Sequence, residues 1–132
     1  MLEKISIHTN DRTELIEITS KVKDVIAGSN IKDGIVMVYT PHTTAGITIN
    51  ENADPDVVKD ILMEVNKIIP FSDSYKHREG NSAAHIKSSL FGASESLVLN
   101  DGELLLGTWQ GIYFCEFDGS RRRKIYIKII EG

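Results

Sequence analysis

The chain has 132 residues, 41% hydrophobic and 26% charged, which suits one domain spanning residues 1–132 with a sizeable core and leaves too little for a second. Its formal charge of -4 at pH 7 excludes a broad cationic surface for nucleic acid or an anionic membrane, so any anion site must be local. No apolar run approaches the ~18 residues of a membrane span, and the start, MLEKISIHTN, lacks the regions of a signal peptide. The single cysteine, Cys115, lies in the apolar run GIYFCEF and reads as a buried thiol. These features predict a cytoplasmic protein with no membrane or nucleic-acid partner.

In chain order, LEKISIHT and ELIEIT read as strands around Asn10-Asp11, an opening hairpin. Thr19 or Ser20 caps a short helix carrying Val22, Val25 and Ile26 and ended by Gly28. GIVMVYT is a buried strand with GITINE as its neighbour. Asp54 caps the clearest helix, with Pro55 at its first position. Its apolar residues Val57, Val58, Ile61, Leu62, Val65, Ile68 and Ile69 demand a covered face, and Pro70 marks its end. A third helix follows Gly80-Asn81 and stops near Gly92, with Ile86 and Leu90 on its packing side. SLVLN and ELLLG flank Asp101-Gly102, and GIYFCEF and KIYIKII flank Asp118-Gly119, two further hairpin signals. The pattern predicts an α+β fold, a mainly antiparallel sheet of about eight strands with three helices.

Chemistry concentrates in few places. In YKHREGNSAAH, His85 lies one turn into the third helix if Asn81 caps it, and a loop folding back brings His77 alongside. Glu79 between them can act as general base or extra ligand. PHTTAG, following a buried strand, adds His42, Thr43 and Thr44 on a rigid support. Three neutral imidazoles with an open position would hold a catalytic transition metal and lower the pKa of its water. His8 has no companion motif. In ENADPD, Asp54 and Asp56 are explained by capping, whereas Glu51 and Asn52 have no such task. GTWQG offers Trp109, core or ligand wall, and Gln110, an amide able to recognise a ligand. In the closing DGSRRRKIYIKII, alternation puts Arg121 and Arg123 on the buried side, able to clamp phosphate or carboxylate or to form an interchain salt bridge, with Arg122, Lys124 and Lys128 opposite.

PHTTAGITINENADPDV, HREGNSAAHIKSSLFG and GELLLGTWQGIYFCEFDGSRRRKIYIKI, in that order, closely resemble the YjbQ-like family, an uncharacterised protein family also called secondary thiamine-phosphate synthase. The resemblance covers nearly the whole chain. It implies a compact α+β subunit in a homotrimer with sites near subunit boundaries, and carries over His42, Thr43, Thr44, Glu51, Asn52, His77, Glu79, Gly80, Asn81, His85, Trp109, Gln110 and Arg123. Tyr75 stands where the family more often has Trp. The family name implies condensation of a pyrimidine-methyl diphosphate with a thiazole phosphate, releasing pyrophosphate. From the three-motif constellation, His42, His77 and His85 are expected to hold a divalent metal, zinc or magnesium, with Glu79, His85 and Arg123 catalytic. Thr43, Thr44, Glu51, Asn52, Asn81, Trp109 and Gln110 are expected to bind a small anionic or phosphorylated substrate. Imidazoles suit zinc better than the magnesium that usually accompanies diphosphate. A metal-dependent hydrolase of unknown substrate and a non-catalytic trimeric small-ligand-binding protein stand as alternatives.

Overall fold

The computed structural model describes all 132 residues. Eight strands and three helices follow in the order β1 (Leu2–His8), β2 (Glu14–Glu17), α1 (Thr19–Ser29), β3 (Gly34–Tyr39), β4 (Ala45–Glu51), α2 (Pro55–Ile68), α3 (Ser82–Phe91), β5 (Ser94–Asn100), β6 (Glu103–Leu104), β7 (Gln110–Glu116) and β8 (Arg122–Glu131). They form two sheets, β1-β8-β3-β5-β6 and β2-β7-β4, with every pairing antiparallel. The α+β class is therefore as expected. The apolar core lies between the sheets: Val36, Val38, Ile125 and Ile127 from one meet Ile47, Ile112 and Phe114 from the other, and α1 adds Val22 and Ile26.

Of the expected hairpins only one forms. Asp101 (φ 50°) and Gly102 (φ 81°) both take positive φ, as the two-residue turn between β5 and β6 requires. The other three adjacent pairs separate: β1 joins β8 while β2 joins β7, β3 lies between β8 and β5 while β4 joins β7, and β7 and β8 belong to different sheets. Asn10-Asp11, Pro41 to Thr44 and Asp118-Gly119 are thus sheet-switching corners. Turn residues favour a chain reversal but do not say whether the returning strand pairs with its predecessor or crosses to the opposite sheet.

The helices correct the sequence in detail. Neither Thr19 nor Ser20 caps α1: Ile18 occupies that position without a side-chain bond, Thr19 Oγ1 donates to Glu17 and accepts from the Ile112 amide, and left-handed Asn30 ends the helix. Asp54 caps α2 as expected, accepting from the Asp56 amide at 2.9 Å. No residue of α2 is fully buried, however, and Met63 and Ile68 are 61% and 68% exposed, so its apolar face is only partly covered by this chain.

On α3 the packing side is Ala83, Ala84 and Lys87, while Ile86 and Leu90 face outward. Small residues let α3 approach β4 closely: a Cβ on Gly46 would stand 3.0 Å from the Gly92 carbonyl oxygen, and Ser88 Oγ donates to Ala45 O at 2.6 Å. Lys87 is fully buried, donating to Asn66 Oδ1 at 2.6 Å and lying 3.6 Å from the centre of the Phe71 ring, which also receives Arg12 at 3.7 Å. Burial, then the charge of Arg12, lowers the Lys87 pKa to about 8. These contacts tie α3 to the start of the segment that carries His77 and Glu79.

Candidate functional site

The sheet-switching corners meet at one end of the sandwich and interlock. Thr9 N–H donates to Arg121 O at 3.0 Å, Gly119 N–H to Arg12 O at 3.0 Å and Phe117 N–H to Thr44 O at 3.1 Å. Beneath them lies a buried ion pair. Arg123 Nε donates to Glu116 Oε1 at 2.8 Å, its Nη2 bonds Glu116 Oε2, and the same nitrogen donates to Thr44 Oγ1 at 2.8 Å. Thr9 Oγ1 and the Asp118 amide complete the carboxylate's partners at 2.8 and 2.9 Å. Burial opposes ionisation of Glu116, but Arg123, the Asp118 amide and Thr9 outweigh it and hold its carboxyl below the usual range. The pair is the floor on which the corner loops rest.

Above the floor opens a cleft of about 410 Å³ with no hydrophobic lining residue. The corner between β3 and β4 supplies His42, Thr43 and Thr44; the segment before α3 supplies His77, Glu79 and Asn81; α3 itself supplies His85. Asp118, Arg121 and Arg123 close the remaining side. The loop does fold back as expected, through a turn in which Gly80 N–H donates to His77 O and Gly80 takes φ +76°. The His77 and His85 rings stand edge to face with centroids 5.6 Å apart.

His42 plays a different part. Its Nε2 accepts the Lys124 amide at 3.0 Å, which puts the proton of the neutral ring on Nδ1. Burial, followed by the charges of Arg123 and Lys124, lowers its pKa and keeps it uncharged. No three His, Cys, Asp or Glu side chains converge closely enough to ligate one ion. The expected three-imidazole ligand set is therefore not assembled here, because His42 has committed its Nε2 lone pair to backbone.

Asn81 does not cap α3 with its side chain; Nδ2 donates to Asp118 Oδ2 at 2.9 Å, and Oδ1 is buried with no partner. An unpaired buried acceptor is costly, so a donor or cation in the cleft has a waiting contact. Arg123 is only 3% exposed, a support whose Nη1 alone is left without a partner in the chain, while Arg121 is exposed and pairs with Asp118 at 3.2 Å.

Four expected binding residues lie elsewhere. Glu51 pairs with Gln110 at one end of the β4-β7 ladder, whereas Ala45 pairs with Glu116 at the other; six residues of strand separate them, about 20 Å. There Asn52 N–H donates to Trp109 O at 2.8 Å and Asn52 Nδ2 to Glu17 at 3.0 Å. Gln110 Oε1 accepts from its own turn, at Gly107 N–H, 2.8 Å. Trp109, 62% exposed, is not core. Asp118 and Glu116 escaped the sequence analysis, the first assigned to a hairpin turn and the second hidden in an apolar strand. A carboxylate inside such a run is itself a signal that a buried partner exists.

Comparison with known proteins agrees with these motifs. The model of the family described as UPF0047 protein YjbQ-like matches residues 3–132. A UPF0047 protein of Methanocaldococcus jannaschii is 57% identical over 98% of this chain and 94% of its own length, and the UPF0047 protein YugU of Bacillus subtilis is 52% identical over 98% and 99%. A crystal structure of an uncharacterised conserved protein from Clostridium acetobutylicum superposes with a TM-score of 0.96 at 54% identity, covering 97% of this chain and 99% of that one. A YbjQ-like protein of unknown function from Sulfolobus solfataricus gives 0.96 at 32% identity, covering 100% and 97%. The match runs over nearly the full length of the chain, and the chain belongs to the UPF0047 YjbQ-like family.

Proposed function

We propose that the polar cleft binds a small phosphorylated substrate and supports a secondary thiamine-phosphate synthase activity. The observation that carries this reading is the convergence of imidazole, guanidinium and carboxylate groups from four separate segments on one cleft without an apolar lining residue. In the reaction, a thiazole nitrogen forms a bond to the pyrimidine methylene carbon while the carbon–oxygen bond to diphosphate breaks, the leaving group taking the electron pair. Arg121 and the free Nη1 of Arg123 meet the charge that develops on that oxygen. His85 and Glu79 hold or move protons beside it, and Thr43 and Asn81 orient the rings.

The test supplies both precursors to the untagged protein, with and without added divalent ions, and measures thiamine phosphate. His85→Ala is expected to lower turnover by about 10²–10⁴-fold at unchanged stability. Folded wild-type protein that forms no product rules out the transferase; if a precursor still raises its melting temperature, the ligand-binding alternative stands.

The close His77 and His85 rings favour a second reading, a divalent ion held by two imidazoles, with the unpaired Asn81 Oδ1 as an oxygen donor. Two imidazoles suit zinc above magnesium. Equal metal content in wild type and His85→Ala would exclude it. The half-covered α2 face and exposed Trp109 support assembly as a homotrimer, which would give Glu51, Asn52, Trp109 and Gln110 a place at a neighbour's cleft. No helix is long and apolar enough to cross a membrane, and we place the protein in the cytoplasm.

A further inference from the structure

A second concentration of charge lies behind the cleft, on the outer face of the five-stranded sheet. β1 and β8 pair so that Ser6 stands opposite Lys124, Lys4 opposite Tyr126 and His8 opposite Arg122. Alternate residues of a strand share a face, so Lys4, Ser6, Arg122 and Lys124 all point away from the core side occupied by Ile7, Ile125 and Ile127. The short Ser6 leaves a gap among longer cationic neighbours. Around it is a depression of about 300 Å³ lined by Lys4, Ser6, His42, Arg122, Arg123 and Lys124.

No carboxylate lines this pocket. Nor do Lys4, Arg122 and Lys124 join any ion pair; those of the chain fall on Lys59, Arg121 and Arg123. Like charges on facing strands repel, and an unneutralised group of them is unexpected in a chain of net charge -4. An oxyanion would relieve the repulsion and accept forked or charge-assisted hydrogen bonds.

We propose that this pocket is a second anion site, binding a phosphate group back to back with the cleft and sharing His42 and Arg123 with it. His77, Glu79, Asn81 and His85 take no part, so phosphate binding here does not require the side chains that line the α3 side of the cleft. His42 links the two. Burial first, and then the charges of Arg123 and Lys124, keep its ring neutral; an anion beside Lys124 would screen part of that charge, so phosphate binding should raise the proton affinity of His42 and, reciprocally, tighten as pH falls.

The experiment titrates inorganic phosphate into isotopically labelled protein at constant ionic strength, following the Lys124 amide and the His42 ring by NMR, with ribose 5-phosphate in a parallel arm. Saturable shifts of both signals are expected, with the His42 titration displaced to higher pH. A stronger response to the ester assigns the site to the phosphoryl group of a larger ligand; a stronger response to phosphate assigns it to the free ion. The Lys4→Ala/Lys124→Ala variant should bind about tenfold more weakly, and Ser6→Glu, which puts a carboxylate in the pocket, should abolish binding while raising the melting temperature. His85→Ala should bind phosphate here unchanged. Shifts confined to His77, His85 and Asn81, or unaltered affinity in both the lysine and Ser6 variants, would overturn this site while leaving the cleft intact; loss of the cleft's ligand with these shifts preserved would do the reverse.

Discussion

Replacing Arg123 by Met is expected to cost about 3–5 kcal/mol of folding free energy, because it removes one partner of a buried pair and leaves the other charge uncompensated. Glu116 is fully buried, and its hydrogen bonds to Arg123 are among the contacts that offset desolvation. The pH dependence carries a sign that simple loss of packing does not. In the native protein the Glu116 carboxyl lies below its ordinary value of 4.5, so its stabilisation is complete above that value and lost as pH falls through the lower folded value. Without Arg123, burial dominates and the carboxyl rises above 4.5, so the variant loses stability as pH climbs from there. Urea unfolding between pH 4 and 7 should therefore show the gap between wild type and Arg123→Met narrowing toward acid. A gap below about 1 kcal/mol would mean that the pair is not structural.

Gly119→Ala should be nearly as severe, at about 3 kcal/mol. A Cβ there would stand 2.2 Å from the Asp11 carbonyl oxygen and 2.9 Å from Glu116 Cγ, where one corner crosses another. Backbone cannot yield as a side-chain tip can, so the corners must part. The Gly119 bond to Arg12 O and the neighbouring Asp118 contacts to Asn81 and Arg121 would shift with them. Loss of ligand binding is expected to accompany the fall in denaturation midpoint. Alanine at Gly28, which has open space around it, is the control and should change the midpoint little.

The local features legible in the sequence are those with local causes. Asp54-Pro55 starts α2, Asp101-Gly102 turns β5 into β6, and the alternation of β8 buries Arg123, Ile125, Ile127 and Ile129. Sheet membership was hidden, because Asn10-Asp11 and Asp118-Gly119 carry the same turn chemistry whether the next strand pairs or crosses. The α3 packing side was hidden for another reason: its spacing is helical, but Ala83, Ala84 and Lys87 give no apolar signal. His42, His77 and His85 do line one cleft, and the unlike role of His42 depends on an amide 82 positions away. Glu51, Asn52, Trp109 and Gln110 were grouped with them by motif alone, whereas strand register sets them at the far end of the ladder.

The sheet-switching corners therefore do more than connect strands: they supply one side of the polar cleft, facing the α3 segment that supplies the other, and rest on one buried ion pair. Whether that arrangement is a ligand site is decided most directly by following the His77 and His85 ring signals while a thiazole phosphate is added to the wild-type protein and to Gly119→Ala. Both rings should shift together and saturate at one ligand concentration in the wild type, and neither should respond in the variant. Rings that stay unmoved at saturating ligand in the folded wild type would contradict the assignment of the cleft.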